Sequence, residues 1–128
     1  MSKKKRILVV DDEPDFCSIV QGQLEKEGFE VEVAYNGVEG LEKIHASPPD
    51  AIVLDVMMPE MDGYEVCKKL KADDKCVDIP IILLTAVASH VTSTRYSHRD
   101  GMSTEADDYI AKPASAEEIS ASIKRLLG

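Results

Sequence analysis

Five short apolar runs, with segments of helical spacing among them, constrain this chain more than any other feature. The runs are Ile7–Val10, Phe29–Ala34, Ala51–Leu54, Ile81–Leu84 and a weaker one at Tyr109–Ala111. Between them, Phe16, Ile19, Val20 and Leu24 fall at i, i+3, i+4 and i+8, and Val38, Leu41 and Ile44 repeat every three positions. Ile119, Ile123, Leu126 and Leu127 form a last stripe. A strand that is apolar throughout keeps no face for water, so it belongs in a parallel sheet covered on both sides by helices. The expectation is a doubly wound α/β domain with a five-stranded parallel sheet, built as one unit from residues 1–128.

Punctuation agrees with the periodicity. Pro14 suits a first helical turn, where no N–H is needed, and Gly28 suits the C-terminal end of the same helix. Ser115 with Glu118 makes a capping box, which predicts a helix from about residue 115 to the end.

In such sheets ligands bind outside the carboxyl ends of the strands. The first run ends in Asp11-Asp12, the third in Asp55, the fourth in Thr85 and the fifth in Ala111-Lys112-Pro113. Two carboxylates about 5 Å apart repel by roughly 3 kcal/mol at an effective dielectric near 20. Three gathered on one edge therefore call for a cation or for raised pKa values. The donors are all oxygens, which favours Mg²⁺, an ion that keeps waters and bridges carboxylate to phosphate. Lys112 has a natural partner in a phosphate oxygen, and aspartate is a competent phosphoryl nucleophile.

The charge balance narrows the partners. Fifteen Lys+Arg against 24 Asp+Glu give a net charge of −9, which repels nucleic acid and anionic membrane. The one basic run, Lys3-Lys4-Lys5-Arg6, reads as a solvated lead-in to the first strand. Cys17, Cys67 and Cys76 are odd in number and never spaced Cys-x-x-Cys, so they read as reduced thiols in a cytoplasm. Neither an export signal nor a membrane span is expected.

The pieces "ILVVDDEP", "IVLDVMMPEMDG", "IPIILLTA" and "ADDYIAKP", in this order along the chain, resemble the receiver domains of two-component response regulators, the single-domain chemotaxis type above all. The resemblance implies a flavodoxin-like strand order, 2-1-3-4-5. It implies that Asp55 accepts a phosphoryl group from a sensor histidine kinase, a histidine phosphotransfer protein or a small phosphodonor. Asp12, Asp55 and the backbone carbonyl of Met57 would hold Mg²⁺, with Asp11 acting through water. Lys112 would pair with the phosphoryl group, its bond to Pro113 being cis. Thr85 would move to meet that group, and Tyr109 would report the move by its rotamer. The protein would promote its own phosphorylation and dephosphorylation without being an enzyme for external substrates. It would signal to a downstream protein through the face of its fourth helix, fifth strand and fifth helix, with no direct nucleic-acid contact.

Other residues read more plainly. Met57, Met58 and Met61 pack a loop that Pro59 stiffens, with Gly63 permitting a tight turn, and His45, His90 and His98 are surface histidines. The chain departs from the family pattern between Thr85 and Lys112, which lie 27 positions apart, a longer span than receivers commonly use. The excess falls in Val87–Glu105, and Glu105 stands where the family usually has glycine, so a helix before the fifth strand is the least defined element. That segment reads as a lengthened connecting loop; as an alternative, Val91–Glu105 reshapes the output face or the entrance to Asp55. A flavodoxin-like FMN carrier is disfavoured by the acidic loop "DDEPD", and an aspartyl phosphatase by Met57, where a general-acid aspartate would stand. The remaining alternative is a receiver-like interaction module that works without phosphorylation.

Overall fold

The apolar runs form parallel strands, and the stripes between them form helices, in the computed structural model, which describes residues 4–58, 61–86, 106–112 and 114–128. In chain order the elements are β1 (Arg6–Val10), α1 (Pro14–Lys26), β2 (Glu30–Ala34), α2 (Gly37–Ala46), β3 (Ala51–Asp55), α3 (Gly63–Lys71), β4 (Ile81–Ala86), β5 (Asp108–Lys112) and α4 (Ala116–Leu127). Val87–Glu105 and the helix expected there, together with Pro59, His90, His98 and the Lys112–Pro113 bond, involve residues outside those described.

The sheet order is β2-β1-β3-β4-β5 with every pair parallel. All five residues of the central strand β3 are buried. One core cluster joins Leu8, Val10, Ile52, Leu54, Ile81 and Leu83 to α2 and α3. The alternate residues Ile7, Val9, Ala51, Val53, Ile82 and Leu84 pack with α1 and α4 on the other face. Alternation along the strand thus feeds two cores, which is why both sets must be apolar.

The edge strand β2 differs from a continuously apolar run: Glu30 and Glu32 alternate with Val31 and Val33. An edge is paired on one side only and half-wet, and Glu32 faces Arg6 at 3.6 Å and Lys43 at 3.9 Å. A second correction concerns α1. Ile19 is 65% exposed, whereas Cys17, Val20 and Leu24 are buried. At about 100° per residue those three lie within roughly 60° of one another, and Ile19 lies about 130° from their centre. The buried stripe therefore runs through Cys17.

The caps hold as read. Gly28 has φ +96°; its N–H donates to the Glu25 carbonyl and that of Phe29 to the Leu24 carbonyl, a Schellman end to α1. The Glu118 N–H donates to Ser115 Oγ at 3.0 Å, and the Ser115 N–H donates to Glu118 Oε1 at 3.0 Å. Replacing Ser115 by Ala is expected to cost about 1 kcal/mol, read as a lower urea midpoint with unchanged m-value. A loss within error would show that the cap contributes nothing to the stability of α4.

Candidate functional site

The sheet reverses direction between β1 and β3: from β1 the chain goes outward to β2, then returns to place β3 on the opposite side. Helices diverge there, and the crevice at the carboxyl ends of β1 and β3 is left open. Asp11 follows β1 and Asp55 ends β3, so both carboxylates stand at this point.

Asp11 is fully buried and Asp55 is 2% exposed. One ligand oxygen from each of Asp11, Asp12 and Asp55 lies within 4.8 Å of the others. Lys112, the last residue of β5, reaches across the edge to Asp11 Oδ2 at 3.0 Å, Glu13 Oε1 at 3.1 Å and Asp55 Oδ1 at 3.7 Å. Its Nζ stands over the Phe16 ring, 4.7 Å from the centroid. The Glu13 N–H donates to Asp11 Oδ1 at 2.9 Å and the Met57 N–H to Asp55 Oδ1 at 3.3 Å. Backbone bonds from Asp11 N–H to the Ala34 carbonyl and from Val56 N–H to the Leu84 carbonyl fix the two strand ends.

The electrostatics follow from burial. Withdrawal from water pushes Asp55 up from 3.8 to about 6, with the neighbouring Asp11 charge adding to the shift. Burial also raises Asp11, against the pull of its hydrogen bond to Lys112. For Lys112 burial acts downward, but the hydrogen bond to Asp11 and the charges of Asp11 and Asp55 prevail, so its pKa is raised. One ammonium does not balance three carboxylates, and the all-oxygen donor set with raised acid pKa values fits a hard divalent cation.

Thr85 and Tyr109 stand differently. Thr85 pairs in register with Ala111, and Leu83 with Tyr109, so by alternation both side chains belong to the face of α2 and α3. Asp55 and Lys112 belong by the same alternation to the face of α1 and α4. Tyr109 is 40% exposed. Met57 is 65% exposed beside the pocket, which suits a residue offering its backbone.

Two contacts lay beyond the sequence, although Gly63 itself is expected there as the glycine of a tight turn. The Cys17 thiol donates to the Asp11 carbonyl at 3.3 Å, pinning the helix to the strand end; burial raises this thiol to about 11. Gly63 opens α3 so close to β3 that an added Cβ would meet the Asp55 carbonyl oxygen at 2.5 Å and Val56 Cα at 2.8 Å. Neither signal is periodic, because each depends on a contact between elements.

The response regulator receiver domain model matches residues 7–124. The chain belongs to the response regulator receiver family. This receiver is a signalling domain of two-component systems. It is 42% identical over 123 residues to the alkaline phosphatase synthesis transcriptional regulatory protein PhoP of Bacillus subtilis, covering 96% of this chain and 48% of that protein. It is 45% identical over 122 residues to the response regulator MprA of Mycobacterium ulcerans, covering 95% and 50%. The chain thus spans about half the length of the curated relatives it matches. Among solved structures, the chemotaxis response regulator CheY4 of Vibrio cholerae superposes with a TM-score of 0.85 at 30% identity, covering 98% of this chain and 100% of that one. Among the described residues, no helix is long and apolar enough to cross a membrane.

Proposed function

We propose that this receiver takes a phosphoryl group onto Asp55 and relays it as a change of surface. One observation carries the reading: a nearly fully buried carboxylate at the switch point of the sheet, with the Lys112 ammonium 3.7 Å from its Oδ1. An Asp55 oxygen attacks phosphorus, the bond from phosphorus to the donor's imidazole nitrogen breaks, and that nitrogen leaves with its electron pair. Lys112 is already held at the pocket by Asp11 and Glu13, so its charge is in place for the phosphoryl oxygens without reorganisation. The Met57 N–H orients the nucleophile. Asp12, Asp55 and the Met57 carbonyl, with Asp11 through water, would hold Mg²⁺, which when bound neutralises charge on the transferring group. Thr85 is assigned to the far side of its strand by alternation, so meeting the phosphoryl group requires a shift of the β4 end, and Tyr109 on the same face follows it. The phosphorylated state gains contacts that the free state lacks, which is what moves a population.

In this reading residues 1–128 act as one cytoplasmic receiver domain, loaded by a sensor histidine kinase or histidine phosphotransfer protein. The domain hands its signal to a downstream protein or effector domain, touches no nucleic acid directly and turns over no external substrate. The test is intact-mass measurement after incubation with Mg²⁺ and a small phosphodonor. Wild type is expected to gain one phosphoryl group and Asp55→Asn none. A gain that persists in Asp55→Asn refutes the nucleophile, and no gain in wild type supports a module that works without phosphorylation.

A further inference from the structure

A second cluster of ligand atoms lies at the opposite end of the fold. Crossover helices run against their strands, so the C-terminal ends of α2 and α3 lie at the sheet edge away from Asp55. There His45, in the last turn of α2, places Nε2 3.2 Å from Oδ2 of Asp73, which follows α3. Cys76 Sγ stands 3.8 Å from the same oxygen. One ligand atom from each of the three residues lies within 4.8 Å of the others. We propose that His45, Asp73 and Cys76 form a binding site for a borderline divalent cation of the zinc class.

The donor set separates this site from the acidic pocket. One imidazole nitrogen, one carboxylate oxygen and one thiol sulfur suit zinc, whereas Mg²⁺ takes oxygen. The spacing agrees as well. With bonds of about 2.0 Å to nitrogen and oxygen and about 2.3 Å to sulfur, a tetrahedral ion separates its N and O ligands by about 3.3 Å and its S and O ligands by about 3.5 Å. Asp73 is already oriented, because its Oδ1 accepts the Lys75 N–H at 2.9 Å and leaves Oδ2 to face the other two. Backbone bonds from the Cys76 and Val77 N–H groups to the Asp73 carbonyl close the turn that brings the thiol back to the carboxylate. The Cys76 side chain is buried while His45 is exposed, so an ion would enter from the imidazole side. On binding, the Cys76 S–H bond breaks, its proton goes to solvent and the sulfur electron pair goes to the metal; uptake therefore strengthens as pH rises. The ion would tie the end of α2 to the loop leading into β4.

The test is Zn²⁺ uptake by the whole chain in competition with a chromophoric chelator, under excess Mg²⁺ to occupy the oxygen pocket, with Co²⁺ as a spectroscopic substitute. Wild type is expected to bind one equivalent and to show a thiolate-to-cobalt charge-transfer band. Cys76→Ser is expected to lose the band, and His45→Gln to bind more than tenfold more weakly. His45 is half in solvent, so its variant reports on affinity even if Cys76→Ser folds poorly. Uptake equal in wild type and His45→Gln, or a thiolate band that survives Cys76→Ser, overturns the site.

Discussion

In metal-free solution at pH 7.5, the Asp55→Asn protein is expected to be more stable than wild type by about 2 to 3 kcal/mol, although it has lost the residue around which the site is built. Asp55 is held at about 6 in the fold against 3.8 when unperturbed, and each pKa unit corresponds to about 1.4 kcal/mol. The sign follows from proton counting. Between these two values the folded protein binds more protons than the unfolded chain, so stability falls as pH rises from about 4 to about 6 and then levels. Asp11, raised by burial as well, acts in the same direction. Asparagine carries no charge to desolvate, so the advantage of Asp55→Asn should be present above pH 6 and vanish near pH 4. Urea unfolding of both proteins from pH 4 to pH 8 in chelator measures it. A gain that is absent at pH 7.5, or unchanged at pH 4, would show that Asp55 is not strained by its burial. Mg²⁺ should narrow the gap by stabilising wild type more than the variant, because it binds the folded carboxylates.

Gly63→Ala should do the reverse, lowering stability by about 3 kcal/mol and Mg²⁺ affinity by tenfold or more. The added methyl would fall 2.5 Å from the Asp55 carbonyl oxygen and 2.8 Å from Val56 Cα. Both are backbone atoms, which cannot turn aside as a long side chain can, and overpacking of this kind costs about 1–3 kcal/mol or more. Either α3 backs away or the end of β3 moves, and the latter carries Asp55 and the Met57 N–H with it. Gly22→Ala is the matched control. Gly22 is an exposed position of α1 with nothing within 4 Å of a new Cβ, so the same substitution should add about 0.5–1 kcal/mol through helix propensity. Urea midpoints and Mg²⁺ titration of the two variants measure both effects. Equal behaviour would mean that the close approach at Gly63 is not what sets the Asp55 loop.

Much of this domain is legible in its one-dimensional pattern because burial on two faces leaves strands such as Ile7–Val10 and Ala51–Leu54 no polar position. Charges are thereby displaced to the strand ends, where Asp11, Asp55 and Lys112 become conspicuous. The capping box at Ser115 and the end of α1 at Gly28 were equally readable, since their hydrogen bonds join neighbours in sequence. Ile19 misled for a definite reason. Apolar spacing marks a stripe of helix but not how far it extends, and Cys17, a small thiol, carried the face that Ile19 left. Glu30 and Glu32 were absorbed into an apolar run because only the sheet order shows that β2 is an edge.

Local chemistry and periodicity were enough to specify the strands, the helices α1, α2 and α4, the caps at Gly28 and Ser115, and the charged residues at the sheet edge. Each of those depends on residues a few positions apart, or on which side chains refuse water. The distance of 3.0 Å between Lys112 and Asp11 spans 101 positions of chain, and no pattern within one element contains it. The same holds for Gly63 against the Asp55 carbonyl, the Cys17 thiol on the Asp11 carbonyl, and His45 beside Asp73 and Cys76. Each arises where two elements meet at a separation set by how the sheet packs its helices. Burial in that packed state, and not the identity of the residue, is also what lifts Asp55 from an ordinary carboxylate to one poised near 6.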